Sequence, residues 1–178
     1  MTETHDSSQN PPERLSAAQA VAAGVDFAEL DVSSAGLFWN EYRPEDGASR
    51  IWHWYANSKR CLTPQGFSVR SRVYEYGGGS FCLADDAVVF VNERDQQLYR
   101  QALDASEPVA LTEGDKRYGG VFFSGGQILA VEEDRNTHRL VAIGLEGFLV
   151  CVRRPHAGGQ HYRWQFYFRF DQPCADPQ

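Results

Sequence analysis

Hydrophobic and polar positions along this chain fall into a strand–turn–strand pattern that recurs. Three apolar triplets, Leu37-Phe38-Trp39, Val88-Val89-Phe90 and Ile128-Leu129-Ala130, each run into an acidic, turn-prone segment: NEYRPEDG, NERDQ and EEDRNT. A second strand-like run follows each turn: RIWHWYA, QLYRQAL and HRLVAIGL. The first two of these are closed by CLTPQG and ALTEG, which places Leu62-Thr63 and Leu111-Thr112 at the same point of their units. Ahead of the second and third units stand Tyr76-Gly-Gly-Gly-Ser-Phe81 and Tyr118-Gly-Gly-Val-Phe-Phe123, both opening on Tyr-Gly-Gly. Glycines there read as the start of an innermost strand, where backbones crowd and a missing Cβ lets them approach.

The triplets begin at 37, 88 and 128, spacings of 51 and 40 residues. That is the range of a four-stranded propeller blade. The pattern therefore predicts an all-β fold, a partial β-propeller of about three four-stranded blades over 14–152. The blades are expected at about 31–64, 76–112 and 118–152, with β structure beginning near Asp31. Three unrelated hairpins in a sandwich are the competing arrangement. The fixed order of Tyr-Gly-Gly, acidic turn and Leu-Thr favours the propeller. Ahead of it, residues 1–13 read as a disordered lead-in. A short helix is expected next, capped by Ser16, built on Ala17 to Ala23 and closed by Gly24. Residues 153–178 form an atypical tail, with a loop-like RRPHAGG and an aromatic WQFYFRF. The tail reads either as a terminal strand or as a translated segment foreign to the fold, as after a frameshift.

Composition narrows the functional classes. The chain has 178 residues, a net charge of −7 and four cysteines. Charge is uneven, −9 over residues 1–149 and +2 over 150–178. Without a clustered basic stripe, nucleic-acid binding is not expected. Cys61, Cys82, Cys151 and Cys174 form no CxxC pair and no zinc-type spacing, so free thiols in a reducing compartment are expected. The polar, acidic first residues lack the basic and apolar regions of a signal peptide. No apolar run approaches the roughly 18 residues of a membrane span. A cytoplasmic location without membrane attachment is expected, and no cofactor or metal is implied.

A family resemblance rests on VRSRVYEYGGGSF (69–81), VVFVNERDQQLYRQ (88–101), LTEGDKRYGG (111–120) and VEEDRNTHRLVAIGLEG (131–147). Together these resemble the N-terminal propeller of bacterial prolyl oligopeptidase-family serine peptidases. The dipeptidyl aminopeptidase and acylaminoacyl-peptidase type is the nearest subgroup, over roughly residues 14–147. The resemblance implies a propeller of seven or eight blades that caps an α/β-hydrolase domain with a Ser-Asp-His triad. It implies cleavage of short peptides, with the propeller limiting access and supplying groups that bind the substrate. This sequence departs from that pattern. Neither Ser80 in GGGSFCL nor Ser124 in FFSGG sits in the Gly-x-Ser-x-Gly elbow of such a nucleophile. No alternating strand–helix segment for a hydrolase sheet follows. A seven-bladed ring needs roughly 300 residues, so the chain reads as a truncated propeller with no catalytic residue of its own.

Two residues are candidates for substrate binding. Glu75, between Tyr74 and Tyr76 at the mouth of an inner strand, is placed to meet a substrate's ammonium group, and Arg72 to meet a carbonyl. The plainer reading is an ion pair between Glu75 and Arg72 or Arg70. Glu132, Glu133 and Asp134 lack the alternating oxygen ligands of a calcium loop and read as a solvated turn. His53 alternates with Trp52 and Trp54, so one set faces a core and the other solvent. Trp39, Trp52, Trp54, Phe81, Phe90, Tyr99, Phe122 and Phe123 are expected between blades.

Three functional readings follow. The chain is the access domain of a peptidase whose hydrolase domain lies elsewhere, a propeller-type interaction scaffold, or the product of a disrupted gene. Open edge strands would favour self-association in any of them.

Overall fold

The structure is a computed structural model that describes residues 24–147 and the backbone of 149–153. It contains three four-stranded antiparallel sheets, each a meander of consecutive strands. Sheet 1 holds β1 (Asp26–Ser33), β2 (Gly36–Arg43), β3 (Ala48–Tyr55) and β4 (Ser58–Cys61). Sheet 2 holds β5 (Phe81–Ala84), β6 (Ala87–Val91), β7 (Leu98–Ala102) and β8 (Val109–Ala110). Sheet 3 holds β9 (Arg117–Ser124), β10 (Gln127–Glu133), β11 (His138–Gly144) and β12 (Leu149–Arg153). Among the described residues there is no α-helix and no closed ring of sheets, only one 3-10 turn at Val73–Glu75. The helix expected over 16–23 lies outside the described residues, as does the tail from 154 onward.

The hydrophobic pattern explains the order of the sheets. In β6, Ala87–Val91, every residue is buried. Val88 and Phe90 join Phe38, Ile51, Leu62, Val69 and Phe81 in a core shared with sheet 1. Val89 and Val91 join Leu98, Val121, Ile128, Ala130, Val141 and Ile143 in a core shared with sheet 3. A strand covered on both faces needs a continuous apolar run, and AVVFV supplies one. In β10 the burial alternates residue by residue, as a strand covered on one face requires. Sheet 2 is thus the middle layer. Each fully buried Val, Ile or Phe in these layers stabilises the fold by about 1.5–3 kcal/mol.

The repeated Leu-Thr pairs do the same work twice. Leu62 donates its amide to Ile51 O and Leu111 to Leu98 O, both at 2.8 Å. The next hydroxyl accepts the amide of that same partner: Ile51 N to Thr63 Oγ1 and Leu98 N to Thr112 Oγ1, both at 2.9 Å. Each threonine completes a strand ladder where the backbone partner has run out.

Several sequence expectations need correction. β1 begins at Asp26 rather than near Asp31, because it pairs with β2 from Asp26 opposite Tyr42 through a bulge at Glu29; its Phe27, Leu30 and Val32 are exposed and give no covered face to read. The 76–79 stretch is not strand; β5 starts at Phe81. Phe81 and Phe90 are core, with Tyr99 and Phe123 packed against it, but Trp54 and Phe122 are exposed. Trp39 and Trp52 lie half-buried on the outer face of sheet 1, where Lys59 Nζ sits 4.2 Å from the Trp52 ring centre and 5.1 Å from that of Trp39. His53 takes the inward side, stacked on Phe38 at 4.4 Å with a ring nitrogen 2.7 Å from Ala35 O.

The acidic turn is not uniformly solvated either. Glu132 is buried and accepts from Tyr118 Oη at 2.8 Å, Lys116 Nζ at 3.3 Å and Arg139 Nε at 2.5 Å. Glu41, two places after its triplet just as Glu132 is, is buried too. It accepts from Trp39 Nε1 at 2.9 Å, Arg43 Nε at 2.6 Å and Lys59 Nζ at 3.1 Å.

Candidate functional site

The segment that leads from sheet 1 into sheet 2, residues 69–80, contains both sequence-predicted site residues. It is anchored mostly by elements that follow it in the chain. Val69 bridges to Asn92 and Arg70 N donates to Val91 O at 3.1 Å, which extends sheet 2 past its last strand residue. Ser71 Oγ donates to Tyr118 O at 2.6 Å, tying the segment to β9. Gly119 is required at that crossing: a Cβ there would stand 2.5 Å from both Ser71 Oγ and Val73 Cγ1. Further on, Gly78 and Gly79 lie against the Gly120 backbone, and Val121 N donates to Gly79 O at 3.1 Å.

Between these anchors the chain makes a strained turn. Tyr74 has φ 54° and Glu75 φ 63°, both left-handed and both carrying a full side chain. Such conformations cost of order 1–3 kcal/mol each and persist only where surrounding contacts impose them. Sheet 3 supplies those contacts. Tyr74 N donates to Glu133 Oε2 at 2.8 Å, and the Tyr74 ring lies 5.0 Å from that of His138. Arg117 donates to Arg72 O at 3.3 Å and forms an ion pair with Glu75.

Arg72 and Glu75 therefore do not pair with each other, and the expected partner of Glu75, Arg72 or Arg70, is replaced by Arg117. The reason is the left-handed turn, which aims the Glu75 carboxylate at the start of β9. Arg72 instead donates to Glu93 Oε1 at 2.9 Å, and Arg70 lies 3.7 Å from the same oxygen. Burial alone would raise the Glu93 carboxyl, but hydrogen bonds from Ser68 and Arg72 outweigh it and hold it below the usual carboxylate range. The Arg117 guanidinium is held above its ordinary value, first by its hydrogen bond to Glu75. Both partners of the Arg117–Glu75 pair are partly exposed, so the pair orients the turn more than it stabilises the fold.

A shallow, solvent-open cavity of about 400 Å³ lies between this segment and strands β1, β2 and β3. Asp26, Glu29, Tyr42, Arg70, Tyr76 and Ser80 are among its lining residues. Glu29 sits in a β-bulge with φ 48° and reaches across to Ser80, accepting from Ser80 N and Ser80 Oγ, both at 2.6 Å. Sequence reasoning missed Glu29, Arg117 and Glu133. Glu29 reaches Ser80 only through a bulge, and Arg117 and Glu133 act on a loop some 40 to 60 residues earlier in the chain, on the order of one blade length. No local pattern announces either.

No family model matches the chain, and no curated protein does. Among solved structures, a puromycin-hydrolysing peptidase of Mycobacterium tuberculosis matches with a TM-score of 0.67 and 31% sequence identity. The match covers 76% of this chain and 23% of the peptidase. At that identity over most of the chain, the likeness extends beyond fold to a relation between the two proteins. The chain spans about a quarter of that peptidase's length.

Proposed function

We propose that this chain is the N-terminal propeller part of a prolyl oligopeptidase-type serine peptidase acting on short peptides, contributing access and substrate binding rather than bond cleavage. The observation that carries this reading is the match, at 31% identity over 76% of the chain, to the mycobacterial puromycin-hydrolysing peptidase. The meander of three four-stranded sheets, stacked in chain order, supports their being consecutive propeller blades. These 178 residues hold no Gly-x-Ser-x-Gly elbow, so the nucleophile belongs to a segment or subunit outside them.

Within that reading, the 69–80 segment is the substrate-facing part. It joins two blades, it is strained, and it offers charged and aromatic groups beside a cavity. Glu75 and Arg72 contribute through the charge they place at its rim. Arg72 is tied to Glu93 and Glu75 to Arg117, so both are held in place before any substrate arrives, which lowers the ordering cost of binding.

A chimera tests this directly. Residues 24–147 replace the matching segment of the mycobacterial peptidase, and puromycin hydrolysis is measured. Hydrolysis by the chimera, with a KM raised on the order of tenfold by Glu75→Gln or Arg72→Ala and little change in kcat, is the expected result. Unchanged kinetics in both variants would remove these residues from substrate binding.

A further inference from the structure

Three residues form one row across the end of sheet 3, and of them the peptidase reading uses only Arg117, as the partner of Glu75. Glu133 on β10 is the register partner of Arg117 on β9 and of His138 on β11. All three engage the same short turn. Glu133 takes the Tyr74 amide, His138 lies against the Tyr74 ring, and Arg117 holds the Arg72 carbonyl and the Glu75 carboxylate. Cross-strand neighbours on one face stand about 4.5–5.5 Å apart at Cβ, so the row is a rigid comb set by sheet pairing. The turn it grips belongs to the link between sheets 1 and 2, far away in sequence.

The grip leaves one side chain out. Tyr76 follows the two left-handed residues; its amide closes the turn on Val73 O, but the residue is 97% exposed and its phenol has no hydrogen bond among the described residues. It also lines the cavity beside Asp26, Glu29 and Arg70. A large aromatic ring held in solvent by a strained and anchored turn loses no packing and gains none in this state. Its ring can supply contact area at low ordering cost, because only two side-chain torsions need fixing.

We infer that Tyr76 is a specificity-determining contact for the peptidase substrate, and that Arg117, Glu133 and His138 are positioning residues that present it by fixing the Tyr74–Glu75 turn. The group it meets is an aromatic or other flat apolar moiety of a short peptide or aminoacyl compound, since an exposed phenol ring offers a stacking face. The assignment of Tyr76 rests on the peptidase reading above; the comb does not.

Two measurements separate the parts. In the 178-residue chain, amide exchange of Tyr74 and Gly77 reads the turn. Glu133→Ala and Arg117→Ala are expected to speed exchange at these sites at least about tenfold while leaving exchange in β6 and the melting temperature nearly unchanged. Arg117→Lys is expected to restore part of the protection. Unaltered exchange in both variants overturns the comb, and a collapse of protection throughout the chain reduces it to general structural support.

In the chimera, puromycin is the probe. Tyr76→Ala is expected to raise KM on the order of tenfold with kcat held, and adding Glu133→Ala to it, which leaves the Arg117–Glu75 pair in place, is expected to raise KM little further. A wild-type KM for Tyr76→Ala, or fully additive effects, overturns the positioning role. A folded chimera without hydrolysis overturns the peptidase reading and Tyr76's contact role with it, while the exchange result on the comb stands independently.

Discussion

At the scale of single residues, the fold depends on carboxylates placed where a purely apolar pattern would not put them. Glu41 and Glu132 occupy matching positions in sheets 1 and 3, each with one aromatic donor and two cations around it. For both, burial alone would raise the carboxyl, and the surrounding hydrogen bonds more than reverse that, so each ends below the ordinary value. A folded carboxyl held below its unfolded value stabilises the protein fully above the ordinary carboxylate range. That contribution is lost as the pH falls through the lower folded value. Wild-type melting temperature should therefore fall as the pH drops from about 5 to about 3, and Glu132→Gln should flatten part of that fall. At neutral pH the same variant should cost about 1–3 kcal/mol, since it leaves Arg139 and Lys116 without their charge partner. Equal pH slopes in the two proteins would show that Glu132 is not ionised and held as described.

At the scale of elements, some of the fold was legible and some was not, for physical reasons. The apolar triplets of β6 and β10 were legible as strand cores, but the burial of β6 on both faces and of β10 on one was not, because AVVFV and ILAV are both continuous apolar runs. Leu62-Thr63 and Leu111-Thr112 were legible because each pair performs a local task that repeats. β1 was only half legible, since the bulge at Glu29 breaks the spacing of Phe27, Leu30 and Val32, and no described residue covers them. The candidate site was legible in its location, the Tyr-Glu-Tyr-Gly-Gly-Gly stretch, but not in its contacts. Those depend on a left-handed turn and on a row of residues in sheet 3. The threonines give a clean test. Thr63→Val and Thr112→Val each strand a strand amide without its acceptor and should cost about 1–3 kcal/mol in denaturant unfolding, while Thr→Ser at either site should cost clearly less. A Val variant as stable as the wild type would mean that the hydroxyl is not the amide's partner.

At the scale of the whole molecule, three stacked sheets leave an outer face on sheet 1. Phe27, Leu30 and Val32 on it are 65–72% exposed, against a fully buried Val88–Phe90 stretch in the middle sheet. Contiguous exposed apolar residues of this kind promote association. The 178-residue chain is expected to gain mass with concentration in light scattering, and Leu30→Lys to reduce that gain. A strictly monomeric wild type would show that this face is covered by residues outside those described. Among the described residues, no helix is long and apolar enough to cross a membrane.

The central claim is that these sheets serve as a segment of a peptidase propeller. The measurement that tests it most directly is kcat/KM for puromycin in the chimera, set against the parent peptidase and against a chimera of equal length with an unrelated β-sheet insert. The account predicts a value within roughly a hundredfold of the parent for the first chimera and no hydrolysis for the control, because on the proposed reading these sheets take over the substrate positioning of the segment they replace. A first chimera that folds, melts cooperatively and hydrolyses no more than the control would contradict it.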